Sequence, residues 1–79
     1  MKNVRSFKKV VNEMNVGEKL WFNAIAATPA MVDFLREEIK AGNLVPNEDE
    51  LNKMIVPSAI HKYMSGYSIA PQMEYIKVK

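Results

Sequence analysis

Apolar residues recur along this chain with two different periods, and the switch between them marks its elements. Phe7, Val10, Val11 and Met14 fall at i, i+3, i+4 and i+7, the spacing of one helical face. Ser6 is placed to cap that helix, and Asn15 to Gly17 to stop it. Met31, Phe34, Leu35 and Ile39 repeat the pattern inside TPAMVDFLREEIKAG. There Thr28 is the N-cap, Pro29 occupies the first turn, where its missing N–H costs nothing, and Gly42 is the terminator. Asp33, Arg36, Glu37 and Lys40 form the outer face of this helix, and their opposite-sign pairs help only slightly. Leu44 and Val45 of NLVP are then expected to fold back on the core. Asn47-x-x-Glu50 reads as a capping box opening a third helix, with Glu48, Asp49 and Glu50 favoured at its positive end. Pro57 interrupts, and SAIHKYMS forms a further short helix ending at Gly66, with Ile60, Tyr63 and Met64 as its apolar stripe.

The period shortens to two at the end of the chain. MEYIKVK (73–79) is rich in β-formers and alternates Glu74, Ile76 and Val78 against Tyr75, Lys77 and Lys79. EKLWFNAI (18–25) fits two templates. Asn15-x-x-Glu18 would open a helix burying Leu20, Trp21, Ala24 and Ile25, whereas Leu20 and Phe22 also alternate with Lys19, Trp21 and Asn23 as in a strand. A strand at the C-terminus needs a partner, and 18–24 is the best candidate, so the strand is preferred. The expectation is an α+β fold, a small, mainly helical domain of three to four helices. Its short antiparallel sheet uses strands near 18–24 and 73–78, with YSIA (67–70) as a candidate third strand in a hairpin turning at Pro71-Gln72. Residues 1–79 form a single domain, since cores seldom split below roughly 250 residues.

Composition adds constraints of exclusion. With 48% hydrophobic and 25% charged residues the profile is globular, not disordered. The absence of cysteine removes disulfides, thiolate metal sites and cysteine nucleophiles, and suits a cytoplasmic location. No apolar run approaches the eighteen or so residues of a membrane span, and the basic start lacks a signal-peptide core, so a soluble protein with no membrane partner is expected. The net charge of +2 permits nucleic acid or an acidic protein as partner and requires neither. Of six methionines, Met31, Met54 and Met64 fall on apparent core stripes.

Reactive chemistry is sparse. His61 is the only histidine, and Glu48–Glu50 are consecutive, so they fan around a helix and lack the alternating spacing of a calcium loop. Glycines 17, 42 and 66 each end an element, and none builds a phosphate loop. The expectation is therefore a non-enzymatic protein with no catalytic residue, metal or small-molecule cofactor. A small ribonuclease-type site of Tyr, Lys, Arg and Glu is the remote alternative, because such sites leave no local motif. The favoured function is a binding module acting through a surface, a protein-interaction, adaptor or regulatory module of bacterial or phage type. Its partner is another protein or a second copy, and Trp21, on the face opposite Leu20 and Phe22, is the candidate anchor.

The stretch IVPSAIHKYMSG (55–66) supports an alternative. Ser58, Ile60, Tyr63 and Gly66 are spaced as in the recognition helices of helix-turn-helix proteins, which this segment resembles over about residues 51–66. The expected element order of helix, strand, helix, helix, hairpin is also similar to the winged-helix variant. That resemblance implies duplex DNA as partner, with Ser58, Ala59, His61 and Lys62 facing bases and Ser65 on the same outward side. Arg5, Lys8, Lys9, Lys77 and Lys79 would then reach phosphates.

Overall fold

The computed structural model describes residues 3–79. Helix α1 (Val4–Glu13) leads to strand β1 (Lys19–Asn23), helix α2 (Pro29–Lys40) and strand β2 (Leu44–Pro46). Helix α3 (Glu48–Met54), a 3-10 turn (Pro57–Ala59), helix α4 (Ile60–Met64) and strand β3 (Gln72–Lys77) complete the chain. Over the described residues the fold is thus a small α+β domain of four helices and one three-stranded antiparallel sheet, in the order β1-β3-β2. Strand β3 is central, so β1 and β2 each join the sheet only through it.

All four helices contribute to one side of the sheet. Phe7 and Val11 of α1, Met31, Leu35 and Ile39 of α2, and Leu51 of α3 are buried against Phe22, Leu44, Met73 and Tyr75, with Ile60, Tyr63 and Met64 of α4 packed at the margin. An aromatic chain runs through this core. Phe7 lies 5.3 Å from Phe22 and 5.6 Å, edge-on, from Phe34, and Phe22 meets Tyr75 edge-on at 6.5 Å. Such tilted and edge-to-face pairs favour the ring quadrupoles as well as burying area.

Burial pushes the Tyr75 phenol up to about 12. Between pH 10 and 12 the unfolded chain therefore ionises this group while the folded chain does not, and stability falls as pH rises. At about 1.4 kcal/mol per unit the loss approaches roughly 2–3 kcal/mol. Tyr75→Phe should abolish that part of the alkaline loss, measured as unfolding free energy against pH for the two proteins side by side.

Helix boundaries follow local chemistry, with some departures from expectation. Asn3, not Ser6, caps α1, its Oδ1 accepting from the Ser6 N–H at 2.9 Å. Thr28 and Pro29 start α2 as the sequence implies, and Asn47 caps α3 through the Asp49 N–H. Glu50 does not reach back to Asn47; it faces Lys53 at 3.5 Å. Asn15 and Glu18 do bond reciprocally, the Asn15 N–H to the Glu18 carboxylate and the Glu18 N–H to the Asn15 carbonyl, but they close a turn and open no helix.

The third strand is Leu44–Pro46, not 67–70, so β3 is not the second arm of a hairpin. Residues 67–70 are tied instead through Ser68 to the Lys62 carbonyl and through the buried Ala70. Val45 consequently points away from the core that Leu44 fills. Val10 and Met54, expected in apolar stripes, are exposed, and Met73 takes the buried place.

Candidate functional site

The sheet's two edges are built differently. The exchanges Lys77 N–H to Glu18 and Ala24 N–H to Pro71 at the ends of the β1–β3 ladder fix its phase. Leu20 and Phe22 bond towards β3, and Lys19, Trp21 and Asn23 therefore turn their N–H and C=O groups outward. Among the described residues, no backbone group bonds to the N–H or C=O of those three, although the Ile25 N–H donates to the Asn23 side-chain oxygen at 3.0 Å. The opposite edge is shorter, and its outward positions are Leu44 and Pro46, so Pro46 removes a donor there. Proteins usually blunt such edges with proline, bulges or cover; β2 carries its proline, whereas among the described residues nothing pairs with the outward groups of β1 from Lys19 to Asn23.

A bulge starts β1. The Gly17 N–H bonds to the Lys77 carbonyl at 2.7 Å, while the Lys77 N–H bonds to Glu18 at 2.9 Å, so two residues face one. Gly17 adopts φ +94°, which only glycine occupies without strain. The bulge sets the register that turns Trp21 outward.

Residues directly opposite across strands share a face. One row is therefore Lys19–Ile76–Val45 and the next Trp21–Glu74–Asn47, the last two joined by a 2.8 Å bond from the Asn47 amide. No helix among the described residues covers this face, and Trp21 is 60% exposed on it. Trp21 thus sits where the bare face meets the open edge. Beneath that edge lies a hollow of about 170 Å³, lined by Phe7, Leu20, Trp21, Phe22 and Met31 among others. The arrangement offers main-chain donors and acceptors, an exposed indole above them and an apolar recess below.

The residues drawn from the helix-turn-helix resemblance are partly brought together. His61, Lys62 and Ser65 line one open depression of about 340 Å³ with Tyr67, a residue that no sequence pattern singles out. Ser58 lies apart from it in the 3-10 turn. The Ser65 hydroxyl donates to the Lys62 carbonyl, closing the end of α4. Helix α4 has five residues, about 7.5 Å of rise, which is short for crossing a major groove. Arg5, Lys8 and Lys9 are exposed on α1, and α1 packs on the first half of α2 through Phe34. Gly66, after α4, instead abuts Arg36 and Ile39 in the second half. Lys8 stands 5.6 Å over the Phe34 ring and shares its hollow with Asp33 and Glu37, an environment that repels phosphate.

Lys77, assigned to phosphate by the resemblance, is buried and donates to the Val11 carbonyl at 2.8 Å. It takes a core position because β3 places Met73, Tyr75 and Lys77 on one face. Glu48, Asp49 and Glu50 stand in the first turn of α3. No helix among the described residues is long and apolar enough to cross a membrane. No family model, curated protein or solved structure matches the chain.

Proposed function

We propose that this protein is a small binding module that recognises a protein partner by adding an extended segment of it to the free edge of β1, with Trp21 as the side-chain anchor. The observation that carries this reading is the open row of main-chain groups at Lys19, Trp21 and Asn23 beneath an exposed indole. In strand addition the backbone bonds supply affinity and alternate side chains supply choice of partner. Fully covered aromatic anchors dominate the energetics of such contacts.

The test uses two substitutions that leave the sheet's internal ladder intact. Trp21→Ala removes the anchor, and Lys19→Pro removes an outward N–H that no described residue uses. Both proteins should keep the wild-type circular dichroism and unfold within about 1 kcal/mol of it. Each should also lose the partner retained by the immobilised wild-type chain. A partner held equally by all three proteins refutes the edge.

Duplex DNA is a second reading, supported by the convergence of His61, Lys62 and Ser65. Binding to duplex DNA would weaken steeply with salt through counterion release and would disappear in the double variant His61→Ala, Lys62→Glu. No binding to random duplex at low salt would eliminate it.

A further inference from the structure

We infer that the occupant of the free edge is a second copy of this chain, its β1 pairing antiparallel with β1 about a two-fold axis through Trp21. This rests on the open-edge reading above and names its partner.

The alternation of outward groups selects the register. With Trp21 opposite Trp21 of the second copy, Lys19 faces Asn23, and all three outward-bonding residues of each strand meet outward-bonding residues of the other. Each facing pair then exchanges two bonds, so none of the open N–H or C=O groups is left unpaired. The other in-phase registers are worse. Centring on Leu20 sets Asn23 opposite Gly17, whose N–H is already bonded in the bulge, and centring on Phe22 sets Lys19 opposite Ile25, beyond the end of the strand. Centring on Lys19 sets two lysines directly opposite and drives Trp21 onto the Gly17 bulge. Centring on Asn23 sets Lys19 against Ala27, beyond the end of the strand in the turn that follows it.

No charge repulsion opposes this choice. In the Trp21-centred register each ammonium meets a neutral amide, and no like charges oppose one another on the joined strands. Side chains follow the same symmetry. Leu20, half-buried at the rim of the core, faces Phe22 of the second copy on the helix side of the sheet. The two indoles meet on the bare side.

The asymmetry of the two edges also decides the kind of assembly. Pro46 blunts β2, so head-to-tail addition of β1 to β2, which would propagate into a filament, is disfavoured. Like edge on like edge closes after two copies. The product is one continuous sheet of order β2-β3-β1-β1-β3-β2 with the helices of both copies on the same side.

Sedimentation equilibrium of the full chain from micromolar to millimolar concentration tests this. The wild type should move from the 9.0 kDa of one chain towards twice that mass. Trp21→Ala should raise the dissociation constant by roughly tenfold or more, and Lys19→Pro should keep the chain monomeric throughout. In a mixture of isotope-labelled and unlabelled chains, an intermolecular NOE between Hα of Leu20 and Hα of Phe22 should appear, since these form the close non-hydrogen-bonded pair of this register.

A dimer that both variants form as well as wild type uses another surface and overturns the inference. A dimer weakened by Trp21→Ala alone, without the Leu20–Phe22 signal, stacks the bare faces and overturns it too. If the wild type stays monomeric while both variants lose a different captured protein, the second copy is wrong and the open-edge reading survives. A monomer whose binding is insensitive to both substitutions refutes both.

Discussion

Phe7→Ala should lower the stability of the domain by about 3–5 kcal/mol, the usual cost of emptying a buried aromatic site. Total stability for a chain of this length is roughly 4–12 kcal/mol, so the substitution removes a large fraction of it. Phe7 is 1% exposed and is the junction of the aromatic chain, touching Phe22 on β1 and Phe34 on α2. It therefore joins the first helix to both the edge strand and the longest helix. Phe34→Ala removes only one of those contacts from a half-buried position and should cost less, about 1–3 kcal/mol. Urea denaturation gives both values, with a midpoint for Phe7→Ala lowered by roughly 2–4 M. Trp21→Ala supplies the contrast, because its ring packs on little within the domain. If Trp21→Ala fell as far as Phe7→Ala, the indole would be a core residue and could not be an anchor.

The difference between Phe7 and Trp21 is legible in the amino-acid pattern alone. The alternation of Leu20 and Phe22 against Lys19, Trp21 and Asn23 assigns Trp21 to the face away from the core once 18–24 is taken as a strand. The strand itself is legible only through the need of the C-terminal strand for a partner, since its local signals also fit a capped helix. Helix α2 is plain because cap, proline, stripe and terminator all agree.

The strand order is not legible, and the free edge follows from the order. Strand β2 has three residues and a proline, too little for a periodic signal, and only its pairing with β3 reveals it. Without β2, hydrophobicity alone puts Val45 in the core and gives the third strand to 67–70. Helix α4 does carry the stripe Ile60, Tyr63 and Met64, but all three are only half-buried. Its continuation is cut at Gly66, where φ is +80° and a Cβ would lie 3.1 Å from the Arg36 carbonyl. The glycine terminator is legible locally, but its close seat against α2 is a tertiary contact that no local pattern encodes. Tyr67 beyond it joins His61, Lys62 and Ser65 only because of that turn.

Lys77→Glu should unfold the protein, whereas Lys77→Met should remain folded and lose about 1–2 kcal/mol. The Lys77 ammonium is held among core residues by the Val11 carbonyl, in the last turns of α1. The negative end of the helix dipole favours a cation there, and α1 has no basic residue in its own last turn. Glutamate in the same place would bury an anion against a carbonyl and against the dipole, with no donor to satisfy it. Methionine keeps the stem packed and forfeits the hydrogen bond. The Val11 carbonyl still accepts from the Met14 N–H at 3.2 Å, so no acceptor is orphaned and the loss stays small.

The same residue's main chain closes the bulge that starts β1, so Lys77 ties the end of α1 to the beginning of the open edge. Its substitution should therefore speed amide exchange at Leu20 and Phe22 more than in α2. A phosphate-binding lysine behaves in the opposite way. Were Lys77 such a residue, Lys77→Met would leave stability and exchange unchanged and weaken only binding to DNA. Equilibrium denaturation and amide exchange of the two variants separate these outcomes. They also establish whether the geometry of the β1 edge depends on a buried charge at the far end of the ladder from Asn23.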